Sequence, residues 1–463
     1  MHRAVLYKVL HDTRTSGEKS VRLQFIETKK RIDIRIRINY FQEKYKRHKS
    51  NLKETSLHNL KYLEEKMVDF NLTREQVAIQ KSVREFSKKE VKTIAMERDQ
   101  MADHENIFPV EALRKSFEIG LHDLVIPQEY GGQGIDGLTA CLVWEELAAA
   151  DAGFCLAFQA NFLACEMIDQ QGTEAQKEIF YNALTSEGGG LAALAATEPG
   201  VGPGQAFLDD QYTLGTTLEP DGEDYILNGT KVFCTNGGSP LTKWYAVAAM
   251  KPGGVGMTEI IPCLVWAGTE GLSVPMSENK MGQRLSKTAQ VYFDNVRIPK
   301  ENVMEPFDLA NLLNKTIKIN SFVLMGALCV GMARSAYEEA FDYAQKRMIH
   351  GEPAIKQQLV AAKITEMYWN IEAVRAYVWM AARDVELNSD RMPNLKLAMG
   401  AKVLGSDLVN RVTDEALQIH GGYGYSKGTL VEKLYRDAKI TQIYEVPNEL
   451  LKVISANMMA MGM

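Results

Sequence analysis

The hydrophobic period of this chain changes twice, and those two changes constrain its fold more than any other feature. From Leu72 to Leu191 apolar residues recur at helical spacing. Thr73, followed by Glu75 and Gln76, reads as a helix start, and Val77, Val83, Phe86 and Val91 come after it with Lys88, Lys89 and Lys92 outside. Further helical segments read as Val110–Ile119, Leu138–Ala149 and Thr173–Leu184. Near Leu191 short segments take over, several rich in β-branched or aromatic residues: Thr213–Leu218, Tyr225–Leu227, Lys231–Cys234, Trp244–Ala249, Pro262–Trp266 and Gln290–Phe293. Turn signals PDGED, NGTK, TNGG and KPGG separate them. This spacing predicts an antiparallel sheet or barrel rather than βαβ units. From Leu309 the helical period returns in long segments, roughly Ile319–Met348, Lys356–Leu387, Leu395–Ile419 and Leu430–Ala438, which suit a bundle. The expected class is α+β multidomain, divided at 67–190, 191–305 and 306–463.

Residues 1–66 stand apart. They hold 17 Lys and Arg against 8 Asp and Glu, a net of +9, whereas the remainder carries −15 of the overall −6. Arg31–Ile38 reads R-I-D-I-R-I-R-I, a strict period of two that predicts a strand, and the FQEKYKRHK after it reads as a solvated basic run. A transit peptide is nearly free of acids, and this stretch has eight. We read it as a basic extension upstream of a working start at Met67. The acidic body argues against a nucleic-acid partner.

At 46% hydrophobic and 24% charged, the composition excludes collagen-like, disordered and disulfide-scaffold classes. The six cysteines (Cys141, Cys155, Cys165, Cys234, Cys263 and Cys329) are scattered singly, without a C-x-x-C pair, so no metal site is expected. Most sit in apolar runs, as small buried hydrophobes do. That pattern suits a reducing compartment, cytoplasmic or organelle matrix. The longest apolar stretch, Phe322–Ala333, is too short for a membrane span, and the first residues lack the apolar core of a signal peptide. Gly132-Gln-Gly134-Ile-Asp-Gly137 matches G-x-G-x-x-G, but a Pro-containing segment precedes it and no βαβ unit surrounds it. It reads as a turn between helices.

The residues that carry chemistry lie near the C-terminus. Gln418-Ile-His-Gly421-Gly422-Tyr-Gly424 is a glycine-dense turn that lets a ligand approach backbone closely. Some twenty residues later a helix carries Arg436 and Asp437, and its end presents Glu445 among Ile443, Tyr444, Val446 and Pro447. A carboxylate among apolar groups has a raised pKa and suits a general base near neutrality. Taken alone, Glu445 reads more readily as a solvated acid at a helix end than as a base.

From about Asp69 onward the chain resembles the acyl-CoA dehydrogenase flavoprotein family. The C-terminal segment is joined in order by IPQEYGGQG at Ile126, Thr197-Glu198-Pro199, NGTKVFCTNGG from Asn228, Met281-Gly282-Gln283-Arg284 and FDNVRIPKENV from Phe293. The resemblance implies an N-terminal helical domain, a middle β-barrel and a C-terminal four-helix bundle. It implies α,β-dehydrogenation of an acyl-CoA thioester with FAD, or the reverse enoyl-CoA reduction, with an electron-transferring flavoprotein as redox partner. Carried over, Glu445 is the α-proton base, its N–H an enolate donor, and Tyr444 lines the substrate pocket. Thr197, Phe233 and Thr235 match flavin contacts. Arg347 and Gln358 match positions that reach the FAD of a neighbouring subunit, and Gln418, Gly421 and Gly422 match the turn over the FAD tail. A homotetramer or homodimer is implied, or a heteromeric assembly.

Three departures stand out. Val446-Pro447 replaces the family's Gly-Thr after the base, and Gly200-Val-Gly-Pro203-Gly204 replaces a Ser-containing loop that lines the CoA path. Ile319 and Phe322 fall where an Asp and an Arg usually orient the CoA–substrate region. Three readings therefore stand: a competent dehydrogenase or reductase, a half-site or non-catalytic partner subunit, and a related flavin oxidase or monooxygenase using O2.

Overall fold

In the computed structural model, which describes residues 8–12, 20–27, 30–37, 71–207, 209–307, 319–387, 394–460 and 462, the chain forms two units, Met1–Asp69 and Phe70–Met463. The first holds an antiparallel meander of β1 (Lys8–Asp12), β2 (Ser20–Glu27) and β3 (Lys30–Arg37). The period-two stretch from Arg31 falls on β3. Ile38 and the FQEKYKRHK run lie outside the described residues.

The second unit begins at a capping box. The Thr73 hydroxyl accepts from Gln76 N–H and the Gln76 side chain returns to Thr73 N–H, which satisfies two orphan donors at the head of α1 (Arg74–Phe86). A π-turn at Ser87–Val91 leads into α2 (Lys92–Asp99), followed by α3 (Val110–Glu118), α4 (Gly137–Ala150), α5 (Ala152–Gln171) and α6 (Glu174–Thr185). Asp136 and Asp151 cap α4 and α5. Both helices are buried nearly all round, so they lack the polar face that makes a helical period visible. The G-x-G-x-x-G match is a turn ahead of α4: Gly134 takes φ 57°, and a Cβ on Gly132 would lie 2.2 Å from the Ile126 carbonyl.

The middle of the chain is one curled seven-stranded sheet, in order β4 (Leu191–Ala195), β7 (Thr242–Met250), β5 (Thr217–Asp221), β6 (Asp224–Thr235), β10 (Thr288–Ile298) and β9 (Leu272–Ser273), with β8 (Ile260–Trp266) on β7. Most pairs are antiparallel as expected, but β4 runs parallel to β7. Its LAALA run is almost wholly buried beneath α5, which is how strands buried on both faces read. The NGTK stretch is a correction. Instead of a turn between two strands it lies inside the twelve-residue β6. Gly229 makes this continuity feasible, at φ 151° and so close to Thr216 that a Cβ would lie 2.5 Å from its hydroxyl.

The C-terminal part comprises α7 (Ser321–Lys346), α8 (Gln358–Leu387), α9 (Leu395–His420), α10 (Leu430–Lys439) and α11 (Asn448–Ala460). Gly326 lies against Ala401 and Gly405, and Tyr343 stacks on His420. Thus α7 and α9 run in the same direction in close backbone contact. A buried charge cluster joins α4 to this bundle: Glu145 pairs with Arg375 and Arg334, and Glu146 with Arg84 and Arg334. Burying these charges is tolerable because each is paired.

Candidate active site

Glu445 lies past the helical turn Ile440–Gln442, between α10 and α11. It takes φ 51° and Val446 takes φ 82°, a strained pairing for residues with a Cβ, and for a β-branched one above all. The turn aims the carboxyl inward. Glu445 Oε1 accepts from Gln159 Nε2 at 2.7 Å, and that amide also donates to the Ser321 carbonyl at 3.2 Å. Trp144 Nε1 donates to Gln159 Oε1 at 2.7 Å, which sets the amide with its N–H2 toward the carboxylate. Glu445 Oε2 is buried with no hydrogen-bond partner among the described residues. The Glu445 N–H has none either.

Burial pushes the Glu445 carboxyl up to about 8; the Gln159 bond and the Lys402 charge oppose this, and the Glu166 carboxyl adds to it. Glu166, two turns further along α5 from Gln159, is itself raised by burial to about 7 despite bonds from Ser321. The arrangement is a protonatable group, held by one neutral donor, with one unengaged oxygen.

The strand side of the site is built on a bulge. Ala289 faces Cys234 and Val291 faces Lys231, so β6 carries one residue more than β10 across this interval. Phe233 sits in it at φ 55° with 66% of its surface exposed. Thr197 follows β4, and its carbonyl accepts from Val232 N–H at 2.8 Å, which brings Thr197 beside Phe233 and Thr235. Neither threonine hydroxyl is engaged by another described residue. Glu198 anchors this loop from below: its carboxylate takes Lys231 Nζ at 2.8 Å and the Gly215 and Thr216 N–H groups. Asn236 then ties the end of β6 to α5 and β4 through the Ala157 and Ala192 carbonyls.

The M-G-Q-R loop packs on α10. A Cβ on Gly282 would lie 2.5 Å from the Arg436 carbonyl, Gln283 N–H donates to Asp437, and Gln283 Nε2 reaches the Tyr444 hydroxyl at 3.3 Å. Arg436 and Asp437 thus serve structure: Arg436 pairs with Asp99 and Glu432, and Asp437 with Lys433.

Comparison with known proteins decides the family. The profile of the acyl-CoA dehydrogenase N-terminal domain matches residues 73–188, the middle domain 193–296 and the C-terminal domain 321–460. The chain belongs to the acyl-CoA dehydrogenase family. A short-chain-specific acyl-CoA dehydrogenase of Megasphaera elsdenii is 36% identical over 398 residues, covering 84% of this chain and 98% of the relative. An acryloyl-CoA reductase (NADH) of Anaerotignum propionicum is 35% identical over 394 residues, covering 84% and 96%. Among solved structures, butyryl-CoA dehydrogenase of M. elsdenii superposes with a TM-score of 0.75 at 34% identity, over 85% of this chain and all of that one. A chain in the structure of the electron transferring flavoprotein of Acidaminococcus fermentans gives 0.74 at 32% identity over 84% and 99%, and a Bacillus anthracis acyl-CoA dehydrogenase complexed with FAD gives 0.73 at 26% identity over 86% and 69%.

Acyl-CoA dehydrogenases are flavoproteins, and the residues here fit a flavin. The solvent-facing Phe233 ring and the two unengaged hydroxyls of Thr197 and Thr235 would suit a planar, hydrogen-bonding ligand. The other expected contacts form a second group at the far end of the bundle. Arg347 caps the C-terminus of α7 and is exposed, as are Gln358, Gln418, Gly421 and Gly422. Gly421 takes φ 61°, and a Cβ on either glycine would meet nothing within 4 Å. Tyr343, stacked on His420 and Tyr423, puts Arg347 and the glycine turn at the same end.

The departures have a physical form. Gly204 lies against Val446 and Leu450, so two of the altered segments touch. Ile319 is buried and Phe322 packs into the core, so neither presents a polar group. Sequence reasoning missed Gln159, Glu166 and Lys402. Each is an ordinary residue in a helical run, and nothing in its local pattern marks it.

Proposed function

We propose that the chain is an FAD-dependent enzyme that removes or adds hydrogen across the α,β bond of a short acyl thioester, with Glu445 as the base. The observation that carries this reading is the raised, inward-aimed Glu445 carboxyl with one oxygen unengaged. In the dehydrogenating direction Glu445 takes the α-proton, and its own N–H, which no described residue accepts, polarises the thioester carbonyl as negative charge develops there. FAD supplies the two-electron acceptor for the hydrogen that leaves Cβ. Gln159 holds the carboxylate, and the buried setting keeps water from it. Both a short-chain dehydrogenase and an acryloyl-CoA reductase are close in sequence, so the same residues serve either direction.

The two groups of flavin-matching residues sit at opposite ends of α7, which at 26 residues is about 39 Å long. One dinucleotide does not span both on one chain. We therefore assign Arg347, Gln358, Gln418, Gly421 and Gly422 to the flavin of a neighbouring copy, Arg347 pairing with its pyrophosphate. Likeness to the chain from the A. fermentans structure supports an electron-transferring flavoprotein as redox partner.

The test is the visible spectrum of the purified protein under anaerobic conditions, with a panel of short acyl-CoA thioesters. Bleaching of bound flavin that is abolished in Glu445→Gln is the expected result. A colourless protein that takes up flavin only with a second, different subunit overturns it in favour of the half-site reading. Rapid reoxidation in air with peroxide release turns it into the oxidase.

A further inference from the structure

The positive-φ turn at Glu445 and Val446 needs something to hold it, and the chain supplies no glycine there. Lys402, on α9, is fully buried. Its Nζ donates to the Val446 carbonyl at 2.8 Å and to Asn448 Oδ1 at 2.8 Å. Asn448 is in turn fixed by Ser406 and Asp407 of the same helix, so the segment from Val446 to Asn448 is fastened to α9. Neither acceptor is charged. A buried ammonium with only neutral acceptors loses hydration without a bonded counter-ion, which is costly unless nearby negative charge favours it.

That charge has a location. Burial brings Lys402 down to about 8, and the Glu445, Asp407 and Glu449 carboxylates oppose this, while the Cys329 thiol is itself held un-ionised by burial. In the other direction, the charged groups that act on Glu445 are Glu166 from α5, which disfavours its ionisation, and Lys402 from α9, which favours it. Gln159 from α5 is neutral, and Tyr444 beside it is held un-ionised by burial. Lys402 is the cation of this set.

We propose that Lys402 is the positioning residue of the base: through the Val446 carbonyl it fixes the turn that aims Glu445 at Gln159, and its charge favours the ionised carboxylate. The proposal deepens the reading of Glu445 as base and rests on it for its kinetic consequences only. The contact between Lys402 and the Glu445–Val446 turn stands without it.

The experiment uses the full chain with whatever flavin it retains, as wild type, Lys402→Met and Asn448→Ala. Infrared titration follows the protonated-carboxyl band that vanishes in Glu445→Gln, a readout independent of turnover. In Lys402→Met the midpoint of that band moves to higher pH, so less of the base is ionised at a fixed pH. The acid limb of kcat/KM moves with it, and kcat falls more than KM changes. Asn448→Ala keeps the charge and loses one anchor, so its midpoint stays near wild type while kcat falls. A lysine that served stability alone would lower the melting temperature of Lys402→Met and leave the midpoint in place; that result overturns the proposal. If Lys402→Met does not fold, Lys402→Gln, neutral but able to donate to Val446, carries the same expectation for the midpoint. A wild type that turns over no thioester, with the band still shifted in Lys402→Met, defeats the assignment of Glu445 as base and leaves the coupling of Lys402 to it intact.

Discussion

Val446 packs directly on Gly204: a Cβ at position 204 would lie 3.0 Å from Val446 Cγ1 and 2.9 Å from Leu450 Cδ2. A β-branched residue after Glu445 thus sits against a position that has no side chain, and the two are expected to be coupled. Gly204→Ala should cost about 1–3 kcal/mol by overpacking. Val446→Gly should absorb most of that cost. A double-mutant cycle by denaturant unfolding measures the coupling, and strictly additive values would show that the two positions do not depend on one another.

Glu445→Gln should lose about 10²–10⁴-fold in kcat, the span of general-base contributions. It should also be the more stable protein, in a pH-dependent way. The carboxyl is raised from 4.5 to about 8 in the fold, so between those values the folded chain keeps a proton that the unfolded chain has released. Its contribution to stability therefore falls as pH rises through that window. Glutamine does not titrate, so the melting-temperature advantage of the variant should grow from pH about 4.5 to about 8 and then level off. A constant difference across pH would show that the buried carboxyl is not raised.

Gln159→Leu removes the donor that favours ionised Glu445, so the acid limb of the kcat/KM profile should move to higher pH. The same change leaves Trp144 Nε1 and the Ser321 carbonyl without this partner, at about 1–3 kcal/mol for a buried group left unpaired. An unmoved limb alongside reduced stability would reduce Gln159 to a packing residue.

Phe233→Ala separates flavin binding from folding. The ring is 66% exposed and contributes little to the core, so unfolding free energy should change by no more than about 0.5 kcal/mol. Flavin stacked on that ring would lose about 0.5–1.5 kcal/mol, a several-fold weaker FAD Kd by fluorescence titration. Equal FAD affinity in the two proteins would place the flavin elsewhere.

The layered organisation was legible because helix and strand periods differ, and a switch at Leu191 is visible wherever one face of each element meets water. It failed where no face does. Within the helical stretch, α5 has no polar stripe to delimit it, yet it carries Gln159 and Glu166. The NGTK segment has the composition of a turn, and only the close approach of Thr216 to Gly229 shows why glycine is there in a strand. Glu445 was recognisable through the motif around it, whereas Lys402 has no motif. Its meaning lies in a carbonyl 44 positions away, a pairing that appears once α9 and the following turn are folded together.

The bond between Gln159 and Glu445 closes a loop of 286 residues. Loop closure over such a span comes after the local helices and hairpins have formed. The base therefore gains its hydrogen-bond partner only when α5 and the turn ahead of α11 have folded onto one another, so a chain with its local helices formed but its long-range contacts missing has no positioned carboxylate.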